Sequence, residues 1–262
     1  MVDRNFDDLV GRFNKNIYQS AKGQIRLAML ETDLHEVVPF LADSHRCSIL
    51  DAGAGTGELA LQLAKPKTEL VLSDISENML QQAQQSFQAT CPEHPVEFIH
   101  SPINQLAEKL DKQFDLVLCH AVLEWLEDPR TAIRELLDFI KPGGYLSLMF
   151  FNRNSLIMRQ MLNGNLKKLK SENFKDKKTT LTPISPLEPE TVYHWLEAEG
   201  LSILRKTGIR VIYDYMAGNV RSKRSVAEIL EMEKRYSGQE PFRSLGRYIH
   251  VVCQAPQEKD VV

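Results

Sequence analysis

The sequence from Cys47 to Glu58, CSILDAGAGTGE, has the residue types of a site that binds a nucleotide-like ligand. An apolar run at its start predicts a buried strand, and helix-forming residues follow its end. Between them, Gly53, Gly55 and Gly57 predict a tight turn. Glycines allow the backbone to approach a ligand closely, and a helix N-terminus offers unpaired N–H groups. We therefore expect a ligand at this turn.

The spacing of the glycines distinguishes two kinds of nucleotide site. Dinucleotide-binding turns have the pattern Gly-x-Gly-x-x-Gly, whereas here single residues separate the glycines. An acidic residue about 20 positions further on usually accepts the ribose hydroxyls, and Asp74 follows the apolar run Leu70–Leu72. The absence of a Gly-x-x-x-x-Gly-Lys-Ser/Thr motif argues against a triphosphate. Turn and acid together predict an adenosyl ligand rather than a purely structural turn.

Composition is that of a soluble globular protein. The chain has 262 residues, 43% hydrophobic and 26% charged, enough for one large α/β domain with elaborations. The first residues lack the apolar core of a signal peptide, and no apolar run reaches the length of a membrane span. The four cysteines have no paired spacing, and no His/Cys cluster has metal-ligand spacing. We therefore expect a cytoplasmic protein without membrane contact or bound metal.

Residues 47–151 alternate between strand-like and helix-like patterns. The predicted strands are about 47–51, 70–74, 96–100, 114–120 and 144–151. The predicted helices between them are about 58–65, 77–88, 103–110 and 129–140. This alternation predicts a parallel sheet covered on both faces, with ligands at the carboxyl ends of its strands. His120 ends the fourth strand and could be a base, a hydrogen-bond donor or a packed side chain.

The regions on either side of this alternation have different patterns. Helices are predicted over about 3–12 and 19–38, where Tyr18, Lys22 and Arg26 are candidates to face the site. The stretch Gly164–Lys178 carries six lysines interleaved with apolar residues, which favours contact with an RNA backbone over a merely solvated loop. Lys141–Gly144 predicts a turn before the fifth strand. Later elements are predicted as a helix over 189–200, a strand continuing through 213, a helix over 222–236 and a strand over 248–253.

Several segments outside the glycine turn narrow the interpretation. These segments are DRNFDDLVGRFNKNIYQSAKGQIR, HAVLEWLEDPR, KPGGYLSLMFFN, KTGIRV and LGRYIHV. Together with LDAGAGTGE and the lysine-rich stretch, they resemble the bacterial tRNA 5-carboxymethoxyuridine methyltransferase family over the whole chain. The resemblance implies a Rossmann-like class I methyltransferase sheet with N-terminal helices and a C-terminal insert-bearing region. It further implies a single domain over 1–262, divided into lid helices (1–45), cofactor core (46–151), basic insert (152–188) and the rest of the sheet (189–262).

The same resemblance implies an activity and a set of site residues. The expected cofactor is S-adenosyl-L-methionine, and the expected partner is the anticodon loop of tRNA. The expected reaction esterifies the carboxylate of 5-carboxymethoxyuridine at the wobble position. The cofactor positions of the family fall on Arg26, Gly53, Ala54, Asp74, Ile103 and His120. At Ala54, where relatives can carry glycine, the assignment requires a φ that is not positive.

The chemistry of a carboxylate nucleophile limits what the catalytic residues must do. The reference pKa of a carboxylic acid is about 4, so the substrate carboxylate is ionised at neutral pH and requires no general base. No catalytic residue is therefore assigned, and neutral donors such as Tyr18 or His120 are expected to orient the carboxylate. Two alternatives stay open: a methyltransferase for a small carboxylic acid or quinone precursor, and a cofactor-binding RNA-interaction protein without turnover.

Overall fold

Seven strands form one sheet in the computed structural model, which describes residues 20–42, 45–171 and 185–257. In chain order they are β1 (Cys47–Ala52), β2 (Thr68–Asp74), β3 (Val96–His100), β4 (Phe114–His120), β5 (Ile140–Phe151), β6 (Ser202–Ile209) and β7 (Tyr248–Gln254). Their order across the sheet is β3-β2-β1-β4-β5-β7-β6. Neighbouring strands from β3 to β5 are parallel, and β7 is antiparallel to both β5 and β6.

Helices cover both faces of this sheet. The α-helices are α1 (Ala21–Val37), α2 (Pro39–Ala42), α3 (Glu58–Leu63), α4 (Glu77–Thr90), α5 (Pro129–Leu137), α6 (Arg153–Leu162), α7 (Leu166–Ser171), α8 (Pro189–Ala198), α9 (Gly218–Arg221) and α10 (Val226–Tyr236). Short 3₁₀ helices cover Ile103–Glu108, Leu123–Trp125 and Arg243–Leu245. None of the helices in the described ranges is long and apolar enough to cross a bilayer.

The alternating direction of strand side chains produces the two hydrophobic layers. All six residues of β1 are buried; Ile49 packs in the layer beneath α1, and Leu50 packs in the layer on the opposite face. Strands buried on both faces read as continuous apolar runs, which is why the sequence predicts these strands well. Between β1 and β4 the strand order reverses, and such a reversal opens a crevice at the carboxyl end of a parallel sheet.

The predicted α/β architecture is confirmed, with four local differences. The stretch Lys141–Gly144 lies within β5, where the register with β4 is irregular, instead of forming a separate turn. The helix predicted over 103–110 is a 3₁₀ helix ending at Glu108. The helix predicted over 222–236 begins later, because Ser225 and Glu228 form a capping box. The strand predicted to continue through residue 213 ends at Ile209, where the chain turns.

Candidate active site

The glycine turn joins β1 to α3 at the carboxyl end of the sheet. Its three glycines have positive φ angles of 79° at Gly53, 58° at Gly55 and 75° at Gly57. Residues with a Cβ rarely adopt this region, so the alternating spacing reflects three left-handed positions. A Cβ on Gly53 would lie 2.3 Å from Cγ2 of Val122, in the loop after β4. Ala54 is absent from the residues with positive φ, so the condition placed on its assignment is met.

The N–H groups of this turn are used within the protein. Those of Gly53 and Ala54 donate to the carbonyl of Ser73 at 2.8 and 2.9 Å, and that of Gly57 donates to the carbonyl of Ala54 at 3.0 Å. The N–H of Gly55 donates to Asp74, as described below. These four N–H groups of the turn are therefore engaged within the protein. A turn whose amides are engaged offers few donors to a phosphate, which agrees with an adenosyl ligand rather than a triphosphate.

Asp74 ends β2 beside the turn and remains partly exposed. Its Oδ2 accepts the N–H of Gly55 at 2.8 Å, and its Oδ1 accepts the N–H of Ser76 at 2.8 Å. Each carboxylate oxygen has a second lone pair, so the side chain can shape the turn and still accept hydroxyl groups of a ligand. The predicted ribose acceptor thus also has a structural role, which the sequence did not indicate.

Asp51, the penultimate residue of β1, lies buried beneath the turn. Burial raises the pKa of Asp51 to about 7, and the charges of Asp74 and Glu58 raise it in the same direction. A cation bound nearby favours the ionised carboxylate and opposes both effects. The three acids give the site a negative electrostatic character that complements a sulfonium or an ammonium group.

We expect affinity for a cationic adenosyl ligand to rise with pH up to about 7. Because the pKa of Asp51 is raised to about 7 in the free protein, binding below that pH must displace a proton. The affinity should then fall by up to about tenfold for each pH unit below 7 and level off above it. Calorimetry between about pH 5.5 and 8.5 would measure both the affinity and the proton released.

Two variants make this pH test specific. Asp51→Asn should bind more weakly, with little pH dependence over the same range. Glu124→Gln should keep the pH dependence, although burial also raises the pKa of Glu124 to about 7. A level profile in the unsubstituted protein would contradict the assigned role of Asp51.

The loop after β3 completes the cofactor side of the crevice. The N–H of Ser101 donates to the carbonyl of Asp74 at 3.0 Å, which ties this loop to the end of β2. Ile103 begins the following 3₁₀ helix and is 8% exposed, and it packs with the layer that includes Leu50. An apolar residue next to the candidate ribose acceptor is well placed for the flat face of a base. Its contact with adenine stays a prediction.

His120 ends β4 and belongs to a hydrogen-bonded chain across the sheet. Its Nε2 lies 2.8 Å from Oγ of Ser147 on β5, and that hydroxyl lies 2.8 Å from Nε2 of His250 on β7. Nδ1 of His250 lies 2.7 Å from Oδ2 of Asp33 on α1. We call these four residues the relay. Burial lowers the pKa of His120 well below its ordinary value, and the charges of His250 and Arg26 lower it further.

The relay occupies one ring nitrogen of His120. A hydroxyl has one proton, so Ser147 donates to one histidine and accepts from the other. Because Nε2 of His120 is engaged with Ser147, a ligand would contact its Nδ1. Contact of His120 with the cofactor or with the substrate carboxylate stays a prediction.

Arg26 on α1 lies close enough to act electrostatically on both His120 and Glu124. Glu124 follows β4 and is 1% exposed, and neither carboxylate oxygen has a hydrogen bond of normal geometry to the described residues. Burial raises its pKa, whereas the N–H groups of Glu124 and Phe151 and the charge of Arg26 lower it. The structure therefore places Arg26 on the same side of the crevice as the end of β4.

Several residues of this site were not predicted. They are Asp33, Ser147 and His250. An acid on the apolar face of α1 and a histidine within the apolar run of β7 were sequence features that could have indicated two of them. Tyr18 lies outside the described residues. So does part of the lysine-rich stretch, of which α7 is described, with Leu166 exposed beside its lysines. The RNA contact of that stretch stays a prediction.

Comparisons with known proteins identify the family. A family model described as "Methyltransferase domain" matches residues 50–148, from β1 to β5. The tRNA 5-carboxymethoxyuridine methyltransferase of Escherichia coli strain K12 is 42% identical over 262 residues, covering 100% of both chains. A ubiquinone biosynthesis O-methyltransferase of Aliivibrio fischeri strain MJ11 is 33% identical over 106 residues, covering 40% of this chain and 44% of its own.

The fold has solved counterparts as well. Magnesium protoporphyrin IX methyltransferase from Synechocystis PCC 6803, crystallised with bound SAH, superposes with a TM-score of 0.62 at 16% identity and covers 95% of both chains. At that identity the likeness concerns the fold, whereas the full-length match to the E. coli protein extends beyond the sheet into α1 and the basic insert. The chain belongs to the tRNA 5-carboxymethoxyuridine methyltransferase family.

Proposed function

We propose that this protein methylates the carboxylate of 5-carboxymethoxyuridine at the wobble position of tRNA. S-adenosyl-L-methionine is the methyl donor, and the anticodon loop is the part of the tRNA that is bound. The observation that carries the proposal is the 42% identity over the full length of both chains to a protein with that tRNA specificity in its name. The match to the A. fischeri enzyme covers only 40% of this chain, which favours tRNA over a quinone precursor.

The residues of the crevice suit this cofactor. S-adenosyl-L-methionine carries a sulfonium, an ammonium and a carboxylate, and therefore a net positive charge. Four N–H groups of the turn donate to acceptors within the protein, and Asp51 and Asp74 lie beside the turn. In this proposal Asp74 accepts the ribose hydroxyls, Ile103 contacts adenine, and Arg26 pairs with the cofactor carboxylate. Gly53, Ala54 and His120 complete the predicted contacts.

The mechanism depends on positioning. The cofactor supplies an electrophilic methyl group, and a carboxylate oxygen, ionised at neutral pH, is the nucleophile. Because charge is lost from both reactants as the bond forms, a cation placed on the attacking oxygen would stabilise the ground state more than the transition state. Arg26 is therefore more useful on the carboxylate that does not react. Alignment of oxygen, carbon and sulfur supplies the main rate effect.

Transfer of labelled methyl to two tRNA preparations tests the proposal. The unsubstituted protein should label tRNA that carries 5-carboxymethoxyuridine and should leave tRNA with an unmodified wobble uridine unlabelled. The label should be released by mild alkaline hydrolysis, as expected for an ester. Labelling of small carboxylic acids but not of tRNA would establish the small-molecule alternative. Cofactor and RNA binding without labelling would establish the alternative without turnover.

A further inference from the structure

Basic side chains from five parts of the chain gather at the carboxyl end of the sheet, away from the glycine turn. We call them the basic cluster: Lys22, Arg159, Arg210, Arg221 and Arg247. Burial lowers the pKa of Lys22, and the charges of Arg210, Arg221 and Arg159 lower it too. The pKa of Arg247 is lowered to about 10, first by burial and then also by the charges of Arg159 and Arg210. Arg159 and Arg210 act on both Lys22 and Arg247, and Arg221 acts on Lys22, so the five groups form one connected set.

The sheet register places this cluster beside the site. Phe151 at the end of β5 and Ile209 at the end of β6 both pair with Tyr248 at the start of β7. Arg210 and Arg247 directly follow and precede these residues, so they stand at the end of the sheet where β4 also ends. Strands are about 4.8 Å apart, so the start of β7, two strands from β4, is about 10 Å from it.

The segment that carries Arg210 is held rigidly. The chain turns there with a φ of 62°, an uncommon left-handed conformation for a residue with a side chain. The carboxylate of Glu233, on α10, accepts the next three N–H groups, those of Val211, Ile212 and Tyr213, at 2.7, 3.1 and 2.9 Å. A fully buried carboxylate that binds three consecutive amides fixes the turn and therefore the start of the Arg210 side chain.

Arg247 is held in a similar way. The side-chain amide of Asn152 donates to the carbonyls of Ser244 and Gly246 at 2.9 and 2.8 Å, which anchors the loop before β7. The guanidinium lies over the ring of Phe151, 4.4 Å from its centroid. Its buried Nη1 has no hydrogen-bond partner among the described residues. A buried donor with no partner in the described part of the chain, on a side chain that is fixed in place, is available to a further acceptor.

The charge balance indicates that this acceptor is an anion. Asp214, whose Oδ2 lies 3.1 Å from Nε of Arg210, is a carboxylate whose charge acts on both Lys22 and Arg247. Asp214 and the buried Glu233, whose charges act on each other, place two carboxylates against five cations among the described residues, and the like charges repel one another. An oxyanion would relieve that repulsion and accept from the donor of Arg247 that lacks a partner.

We propose that the basic cluster binds a phosphodiester group of the RNA chain close to the nucleotide that is methylated. The inference rests on the proposed function and adds the part of the substrate that these residues contact. The reacting carboxylate is the other oxyanion of the same substrate. It loses its charge during the reaction, so strong cations on it would slow the step, whereas a phosphodiester keeps its charge throughout. The cluster therefore fixes the RNA backbone while the base enters the crevice.

Two RNA stem-loops of the same sequence distinguish the two oxyanions. One carries uridine and the other 5-carboxymethoxyuridine at the wobble position. Their dissociation constants from the protein are measured at salt concentrations from about 50 to 200 mM, because affinity that depends on phosphate contacts falls strongly over this range. Arg247→Gln should weaken the binding of both RNAs equally, by about ten- to a hundredfold. The slope of log K against log salt should become smaller by about one.

Three further measurements keep the result interpretable. Lys22→Gln, in the first turn of α1 where the side chain is partly open to solvent, should weaken the binding of both RNAs less strongly. Arg134→Gln, on α5, is the matched control, because the Arg134 side chain is 52% exposed and pairs with Glu199 at the end of α8. This variant should change neither the affinity nor the slope. Affinity for S-adenosyl-L-methionine should be the same in all variants, which confirms that they are folded.

Each outcome decides between the two proposals. Weakening of the carboxymethoxy RNA alone would assign the cluster to the carboxylate and overturn the phosphodiester assignment. Unchanged affinity in Arg247→Gln and Lys22→Gln, while the unsubstituted protein methylates its RNA, would overturn the cluster and leave the proposed function intact. If the unsubstituted protein neither binds nor methylates RNA, the proposed function is wrong and the cluster assignment fails with it.

Discussion

Asp74→Ala is expected to lower affinity for S-adenosyl-L-methionine by at least about a hundredfold. The substitution removes the carboxylate that binds the N–H groups of Gly55 and Ser76, each at 2.8 Å, together with the predicted acceptor of the ribose hydroxyls. Hydrogen bonds to a charged group contribute about 1.5–3 kcal/mol each, so two lost contacts to the ligand suffice for a loss of that size. Disorder of the turn would add to it. Calorimetric titration measures the change directly.

Two variants control for other effects of this substitution. Asp74→Asn keeps one oxygen acceptor but turns an amide group towards the other N–H, so its affinity should lie between those of the parent and Asp74→Ala. Asp111→Ala removes an exposed acid from the loop before β4 and should leave affinity unchanged. Cofactor binding by Asp74→Ala at the parental affinity would refute the assignment of this residue.

Gly53→Ala is expected to reduce both cofactor affinity, by about tenfold or more, and stability. Alanine in the left-handed region costs about 1–2 kcal/mol, and Gly53 has a φ of 79°. Its Cβ would also lie 2.3 Å from Cγ2 of Val122, so either the turn or the loop after β4 must move. Both belong to the crevice. Thermal unfolding and calorimetric titration of the same variant report the two effects separately.

Gly164→Ala is the matched control, because Gly164 has a similar φ of 66° but a Cβ there would have no atom within 4 Å. Gly164→Ala should lose stability only through the strained backbone conformation of the alanine, and it should bind the cofactor with the parental affinity. Combining Gly53→Ala with Val122→Ala removes the clashing methyl group and should recover part of the affinity. Equal effects of Gly53→Ala and Gly164→Ala on cofactor binding would show that contact between the turn and Val122 is unimportant.

Local patterns predicted most of the architecture. The five parallel strands were placed within a few residues, because strands buried on both faces are read from short apolar runs. The predictions that differed were those where neighbouring segments decide. The strand predicted through 213 ends at Ile209, since Glu233 binds the amides that a longer β6 would use for pairing. The helix predicted from 222 starts at Val226, since Ser225 caps it.

The sequence by itself determined the strand–turn–helix element and predicted the ligand that binds there. Three alternating glycines allow a left-handed turn, and a turn between an apolar strand and a helix has to lie at the carboxyl end of a parallel sheet. The role of Asp74 as the ribose acceptor was predicted from its spacing and stays a prediction. These conclusions depend on properties of residues that are near one another in the chain, so they survive without knowledge of the fold.

Only the tertiary structure decided which residues of the site form hydrogen bonds and ion pairs with one another. The turn gives the N–H groups of Gly53, Ala54 and Gly55 to Ser73 and Asp74, so these backbone donors are engaged within the protein. The relay joins His120 to Ser147, Ser147 to His250 and His250 to Asp33 across sequence separations of 27, 103 and 217 residues. The basic cluster likewise joins residues of α1, α6 and α9 with residues next to β6 and β7, which are far apart in the chain. Hydrogen bonds and charges act over a few ångströms in space, and chain spacing does not encode which distant segments come that close.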